Sequence, residues 1–310
     1  MIRAGLIPLA VMLLCVGPML KAQVTFTATT SADAFVATGS AGNPAGSDLT
    51  GWNFGAAGML VVTSAANPKG EFQGLLRFDL AGATNLFTTN YGGGNWTITS
   101  VALELTANYG TSNVQPNNLI FPVVTGGGFA IEWLSNDAWV EGAGTPNLPS
   151  TEGVTFNSLT DLLASNRQIL GTNYYAPPGN DVHLVWPLPL TPKLVADIAG
   201  GGAVTLRVYA VDNGVGYLCN ARNYGRGNEP LMHVTAVPLL KLLSGDFTNS
   251  VFRLTGRGAP NTHCWLQAAT NPASADWQTV ATEMTDSAGW IQFDDSAATH
   301  HPQYYYRLSQ

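Results

Sequence analysis

The chain has 310 residues, 11% of them charged and 45% apolar, with 34 Gly and 18 Pro. An average globular domain carries roughly 25% charged residues, so a helical bundle or coiled coil is excluded, and the apolar content excludes intrinsic disorder. Thirteen basic against 20 acidic residues, net −7, exclude the basic footprint of a nucleic-acid binder.

The chain opens with Arg3, an apolar run from Ala4 to Leu20, and Lys21-Ala22 before a polar, alternating stretch begins at Gln23. A basic start, an apolar middle and a small final residue predict a secretory signal peptide over 1–22, cleaved after Ala22. Pro8 and Pro18 interrupt the run, which is short for a membrane span. The expected location is therefore secreted, extracellular or at the cell surface, with no membrane span after cleavage. A retained anchor helix is the alternative. Beyond that segment only Cys219 and Cys264 remain, too few for a disulfide framework. They are expected as two buried free thiols in separate domains, with a Cys219–Cys264 bridge as the alternative.

Period-2 alternation then recurs: Val24-Thr-Phe26-Thr-Ala28-Thr, Val101-Ala-Leu103-Glu-Leu105-Thr and Val204-Thr-Leu206-Arg-Val208-Tyr-Ala210. Gly/Asn/Pro clusters separate the runs, and many short strands between such turns predict a sandwich or jelly roll. Strand alternation across Gly74–Leu80 predicts that Leu75 or Leu76 is buried with Phe78, opposite Arg77 and Asp79. Two short helices interrupt the strands. One covers Asn157–Leu163, with Ser158 and Asp161 as a capping box. The other covers Thr191–Ala199, with Thr191 as cap, Pro192 in the first turn and Gly200-Gly201-Gly202 as the stop. Near Pro238 the chain changes character, and five strand-like runs follow between Val251 and Leu308. The expected fold is all-β. A jelly-roll-like antiparallel β-sandwich over 23–237 precedes a smaller immunoglobulin- or fibronectin-like sandwich over 238–310. The alternative for the C-terminal run is extra strands added to the first sheet system.

Four segments from about Ala32 to Val237 resemble a known family, the DNRLRE-type secreted β-sandwich modules. These are "SADAFVATGS" from Ser31, "GLLRFDL" from Gly74, "WLSNDAWVEGAGTPN" from Trp133 and "CNARNYGRGNEPLMHVTA" from Cys219, in the family's order. The name-giving element departs from the family pattern, with Arg222 set in Asn-Ala-Arg-Asn. The resemblance implies a carbohydrate-binding, non-catalytic module. The C-terminal segment, ending in a "YYYRL"-type strand, resembles the short sandwich repeats of secreted bacterial proteins.

No G-x-S-x-G elbow, H-E-x-x-H helix, phosphate loop or dinucleotide fingerprint is present. His183 and His233 fall inside strands and read as satisfied structural residues, while His300-His301 is an adjacent pair in a loop. Glu132, Asp137 and Glu141 are the nearest approach to a catalytic carboxylate pair. Their other reading is as turn-holding groups that accept backbone N–H bonds. Asp33, Asp79, Asp137 and Glu141 are the candidate oxygen donors to a structural calcium, the one cofactor considered.

Sugar recognition needs aromatic faces and a few polar groups. The aromatics in Gly/Asn-rich loops are Trp52, Tyr91, Trp96, Trp133, Trp139, Tyr174, Tyr175, Tyr217 and Tyr224. Tyr217, Arg222, Tyr224 and Arg226 crowd into one loop before the last strand of the first domain and form the preferred carbohydrate site. Trp133, Trp139 and Tyr174 are secondary candidates, and Trp186 and Trp265 are expected in the core. Three function classes result: a non-catalytic binder of polysaccharide or cell-surface glycan, a structural or adhesive surface protein, and a polysaccharide-degrading enzyme.

Overall fold

The computed structural model describes residues 23–39, 48–108, 121–148, 150–249, 251–273, 276–298 and 303–309. The expected signal segment and the His300-His301 pair lie outside them. The chain divides into two compact units, Gln23–Val237 and Pro238–Gln310. No helix among the described residues is long and apolar enough to cross a membrane.

The first unit runs β1 (Val24–Ala37), β2 (Met59–Thr63), β3 (Phe72–Asp79), α1 (Ala81–Tyr91), β4 (Trp96–Thr106), β5 (Gly127–Leu134) and α2 (Phe156–Leu163). It continues with β6 (Arg167–Tyr175), β7 (His183–Leu188), α3 (Pro192–Gly200), β8 (Ala203–Ala210), β9 (Gly216–Asn220), a 3-10 turn over Arg222–Tyr224 and β10 (Leu231–Pro238). Strands follow the order β6-β5-β8-β3-β1-β10-β4-β7, with β2 bridging β3 and β9. The fold is an antiparallel, all-β sandwich.

β1 is the strand that turns this order into two layers. Val24–Thr29 pairs with β10, and Thr30–Ala37 pairs with β3 across a register shift between Thr30 and Ala32. A bulge bends a strand and raises its twist, which lets one strand serve two sheets. Its burial follows this division. The first half alternates between exposed and covered residues, whereas Ala32–Ala37 is buried without a break. The second half is covered on both faces. Phe35 stacks on Phe54 at 4.5 Å on one side. On the other, Ala32, Ala34 and Val36 join Leu75, Leu134, Trp139, Val154, Leu159 and Leu162 in a second core supplied by the 139–162 segment. That segment also buries Leu75, so Leu75, Leu76 and Phe78 are all buried while Arg77 is half-buried and Asp79 exposed.

The helices refine two expectations. The cap of α2 is Thr155, not Ser158: Thr155 Oγ1 accepts the Ser158 N–H at 3.2 Å, and Ser158 returns the bond to the Thr155 N–H at 2.9 Å. Ser158 is thus the third residue of the helix rather than its cap. In α3, Thr191 caps, Pro192 opens and Gly201 closes the helix in the left-handed region at φ 67°. α1 was not predicted. Its first free N–H is taken by Asp79 Oδ1 at 3.0 Å, and it buries Ala83, Phe87 and Tyr91. Its Thr- and Asn-rich sequence carries no helical signal, so packing rather than propensity makes it a helix.

The second unit consists of β11 (Lys241–Thr248), β12 (Val251–Arg257), β13 (His263–Ala269), β14 (Gln278–Met284), β15 (Trp290–Asp295) and β16 (Tyr305–Ser309). They form two three-stranded sheets, β11-β12-β15 and β14-β13-β16. Leu254, Cys264, Leu266, Ile291 and Phe293 make its core. Cys219 and Cys264 are both buried thiols outside any disulfide.

Candidate functional site

The loop after β9 is held from two sides. The Ala221 N–H donates to Gly58 O at 3.1 Å and the Tyr224 N–H to Ala221 O at 2.9 Å, which winds Arg222–Tyr224 into one 3-10 turn. Gly225, at φ 74°, ends it. Asn223 Nδ2 donates to Gly55 O at 3.0 Å, and the Tyr224 backbone and ring lie against Gly58. The guanidinium of Arg226 lies over the Tyr224 ring, 5.3 Å from its centre. Arg226 is exposed and Tyr224 half-buried, so the stacked pair faces solvent.

Beneath this turn, three residues distant in sequence close a ring. The Arg222 N–H donates to Asp33 Oδ2 at 2.6 Å, and the Asp33 N–H donates to Glu141 Oε1 at 3.0 Å. The Arg222 guanidinium donates to Glu141 Oε2. Asp33 is fully buried, and its second oxygen, Oδ1, has no partner among the described residues. Burial pushes its carboxyl up to about 7; the Arg222 N–H opposes that rise, and the nearby Glu141 charge adds to it.

Asn53 brings Glu141 to this place. Its Nδ2 donates to Glu141 O and Val154 O, both at 2.7 Å, and its Oδ1 accepts from the N–H groups of Gly55 and Gly144, both at 3.1 Å. The backbones come so close that a Cβ on Gly55 would lie 1.9 Å from Glu141 O, a position only glycine can fill.

The structure redistributes the other predicted residues. Tyr217 is a correction: it points inward from β9, is 1% exposed, and stacks on Tyr175 at 4.0 Å between the sheets. Trp133 and Trp139 are also buried. Trp133 Nε1 donates to Asp197 Oδ2 at 2.7 Å. Trp139 Nε1 donates to Thr205 Oγ1 at 3.1 Å beneath the Arg77 guanidinium, 5.1 Å from the ring centre. Their polar edges are occupied, so they are structural. Tyr91 and Tyr175 are core residues, whereas Tyr174 is 67% exposed on β6 and Trp52 37% exposed. Trp186 and Trp265 are half-buried, and Trp186 packs edge-on against Phe129 at 5.0 Å.

The four calcium candidates do not converge. Asp79 accepts the Ala81 N–H at the start of α1, and Asp137 accepts from Thr205 Oγ1 at 2.7 Å. Asp33 and Glu141 do meet, but the cation beside them is Arg222. Among the described residues no group of three His, Cys, Asp or Glu side chains is arranged to hold a metal. The acids Glu132, Asp137 and Glu141 are likewise separated, since Glu132 turns inward to Arg207 Nη1 at 2.7 Å.

Two groupings had no signal in the sequence. Glu104 on β4 takes His183 Nδ1 at 2.6 Å on one oxygen and His233 Nε2 at 2.7 Å on the other, linking three neighbouring strands. An open pocket of about 300 Å³ lies beside α2, lined by Trp139, Val140, Val154, Asp161 and Leu162.

No family model matches the chain, and no curated protein matches it. Among solved structures it is similar to a β-glucuronidase of Lactobacillus rhamnosus at 13% identity and a TM-score of 0.18, over 76% of this chain and 32% of that one. It thus spans about a third of that protein's length. It is also similar to two portions of Escherichia coli α2-macroglobulin. One spans domains NIE-MG1 (13% identity, TM-score 0.13, 56% of this chain and 74% of that one). The other spans MG0-NIE-MG1 (9% identity, TM-score 0.14, 81% and 84%). Likeness at these scores carries no argument about fold or function.

Proposed function

We propose that the first unit is a non-catalytic module of the DNRLRE type, acting outside the cell, that binds polysaccharide carrying acidic groups at the Arg222–Arg226 loop. The observation that carries this reading is the exposed Arg226 guanidinium stacked on Tyr224. The ring contact keeps this planar fork of donors at the surface, and such a fork is suited to bidentate binding of a carboxylate. Arg222 is tied to Glu141 and serves the loop rather than the ligand. Tyr174 and Trp52 are the remaining exposed aromatics from the predicted set.

The test is binding of polygalacturonate and of a neutral glucan to the full chain. Polygalacturonate should bind, and more weakly as salt rises, because exposed charge attraction is screened over about 8–10 Å at moderate ionic strength. Arg226→Ala should weaken it by ~1–3 kcal/mol, the worth of a hydrogen bond to a charged group. Unchanged binding in Arg226→Ala removes the site. Binding of neither glycan favours the second reading, a structural or adhesive surface protein. The packing of Tyr217, Trp133 and Trp139 into the interior already speaks for that alternative.

A further inference from the structure

We infer that Asp33 is a proton-linked positioning residue for the Arg222–Arg226 loop, acting through the closed ring in which Asp33 holds Arg222, Arg222 holds Glu141 and Glu141 holds Asp33. The inference rests on reading that loop as the ligand surface.

Each link of the ring uses a different group. The Asp33 carboxylate takes the Arg222 backbone, the Arg222 side chain takes Glu141, and Glu141 takes the Asp33 backbone. Three chain segments meet in it: β1, the stretch after β5, and the turn after β9. One corner is dry and the others are wet: Asp33 is fully buried, while the Arg222 and Glu141 side chains are 39% and 18% exposed.

The ring contains two carboxylates and one guanidinium, so with both acids ionised it holds one uncompensated negative charge. The buried Asp33 Oδ1 has no donor among the described residues to absorb that charge. The other groups around this carboxyl are the Thr30 hydroxyl, 3.5 Å from Oδ2, and the Cys219 thiol. Burial holds that thiol protonated, and neither group supplies a cation. A proton on Asp33 leaves one cation against one anion and keeps the ring neutral. Its loss leaves a buried charge, which is relieved by admitting water and releasing the Arg222 N–H. Tyr224 and Arg226 follow, because the Tyr224 N–H is bonded within the same turn. The carboxyl titrates at about 7, so the hold on the loop weakens as pH rises towards that value and is lost above it.

The experiment is amide hydrogen exchange by NMR on the full chain between about pH 4.5 and about pH 8, a range that spans the linked titration. Protection of the Arg222–Arg226 amides is read after correction for intrinsic rates. In the wild type, protection should fall by up to about tenfold per pH unit as pH rises towards the midpoint and level off above it, the slope of a single linked proton. Asp33→Asn should be flat, and Glu141→Gln should bring the levelling-off to lower pH because the neighbouring negative charge is gone. Flat protection in the wild type, or the same fall in Asp33→Asn, overturns the inference. If Asp33→Asn does not fold, the carboxyl-carbon titration of Asp33 in the wild type decides: a midpoint near 7 supports it and one near 4 overturns it. Polygalacturonate binding should weaken over the same range. Absence of binding at every pH overturns the sugar reading alone, while the exchange data still decide the latch.

Discussion

Among the described residues of the first unit two carboxylates are buried, Asp33 and Glu132, and they are handled in opposite ways. Glu132 receives a guanidinium directly: Arg207 Nη1 lies 2.7 Å from Oε2, and the same Arg is held by Gln73 through Nε at 2.6 Å. Tyr209 lies over that guanidinium at 4.0 Å, and Arg167 stands 3.8 Å from the other oxygen of Glu132. Asp33 receives the Arg222 backbone N–H and, at 3.5 Å, the Thr30 hydroxyl, while the guanidinium of Arg222 is given to Glu141. A buried acid with its own cation is compensated and structural. One whose cation is assigned elsewhere becomes sensitive to protons.

The largest effect should come from breaking the satisfied pair. Arg207→Met should lower stability by about 3–5 kcal/mol at neutral pH, because it leaves Glu132 buried without its cation. Urea unfolding measures this. The double variant Arg207→Met with Glu132→Gln should recover most of the loss, and failure to recover would show that packing, not charge, dominates there.

Asn53→Ala comes next. It strands two carbonyls and two N–H groups where the Glu141 and Val154 strips meet, and should cost about 2–3 kcal/mol. Exchange of the Gly55 and Gly144 amides should rise with it.

The proton-sensitive acid gives a smaller effect with a definite sign. The folded state raises the Asp33 carboxyl from 3.8 to about 7, so it binds a proton that the unfolded chain releases. The resulting stability is fully present below the unfolded value and is lost as pH rises through about 7. Asp33→Asn should therefore gain about 1 kcal/mol on wild type between about pH 6 and about pH 8, most of it below about pH 7. Thermal unfolding at the two pH values distinguishes this from a uniform effect.

The smallest effect belongs to Glu104, at the solvent-facing end of the same comparison. Burial would raise its carboxyl, but hydrogen bonds from His233 and His183 outweigh this and hold it below the usual carboxylate range. Its contribution is present above the unfolded value and lost as acid takes the pH through the lower folded one. His183 is half exposed, so His183→Ala should cost only about 0.5 kcal/mol. A larger loss by urea unfolding would mean that the cluster does more than tie β7 to β4.

Asp33, Glu141 and Arg222 were each legible as candidates, because charged residues in loop-rich stretches of a low-charge chain are conspicuous. Their union was not. Asp33 and Arg222 stand 189 positions apart and Asp33 and Glu141 108, and no local pattern reports a contact at such separations. Asn53 had no signal at all, since an Asn among glycines reads as turn chemistry whether its amide meets water or four backbone groups. Tyr217 was misplaced for a related reason. Alternation gives the parity of a side chain on β9, but only the opposing sheet, with Tyr175 and Phe129 against the ring, decides which parity is inside.

What the sequence determined by itself is local. Period-2 runs between Gly/Asn/Pro turns specify strands, and with so few charged residues these can be buried only as packed sheets. Thr191, Pro192 and Gly201 specify the start and stop of α3 through groups within one turn of each other. The tertiary structure decided what covers each face. The half of β1 from Ala32 to Ala37 is buried on both sides because the 139–162 segment packs over the outer face of its sheet, and α1 is helical because it too has a surface to cover. The same decision set the chemistry of the ring. Whether Asp33 is an ordinary surface acid or a buried group titrating near neutrality depends on where two remote segments bring water's substitutes, a backbone N–H and a guanidinium. Desolvation and charge act through space, not along the chain.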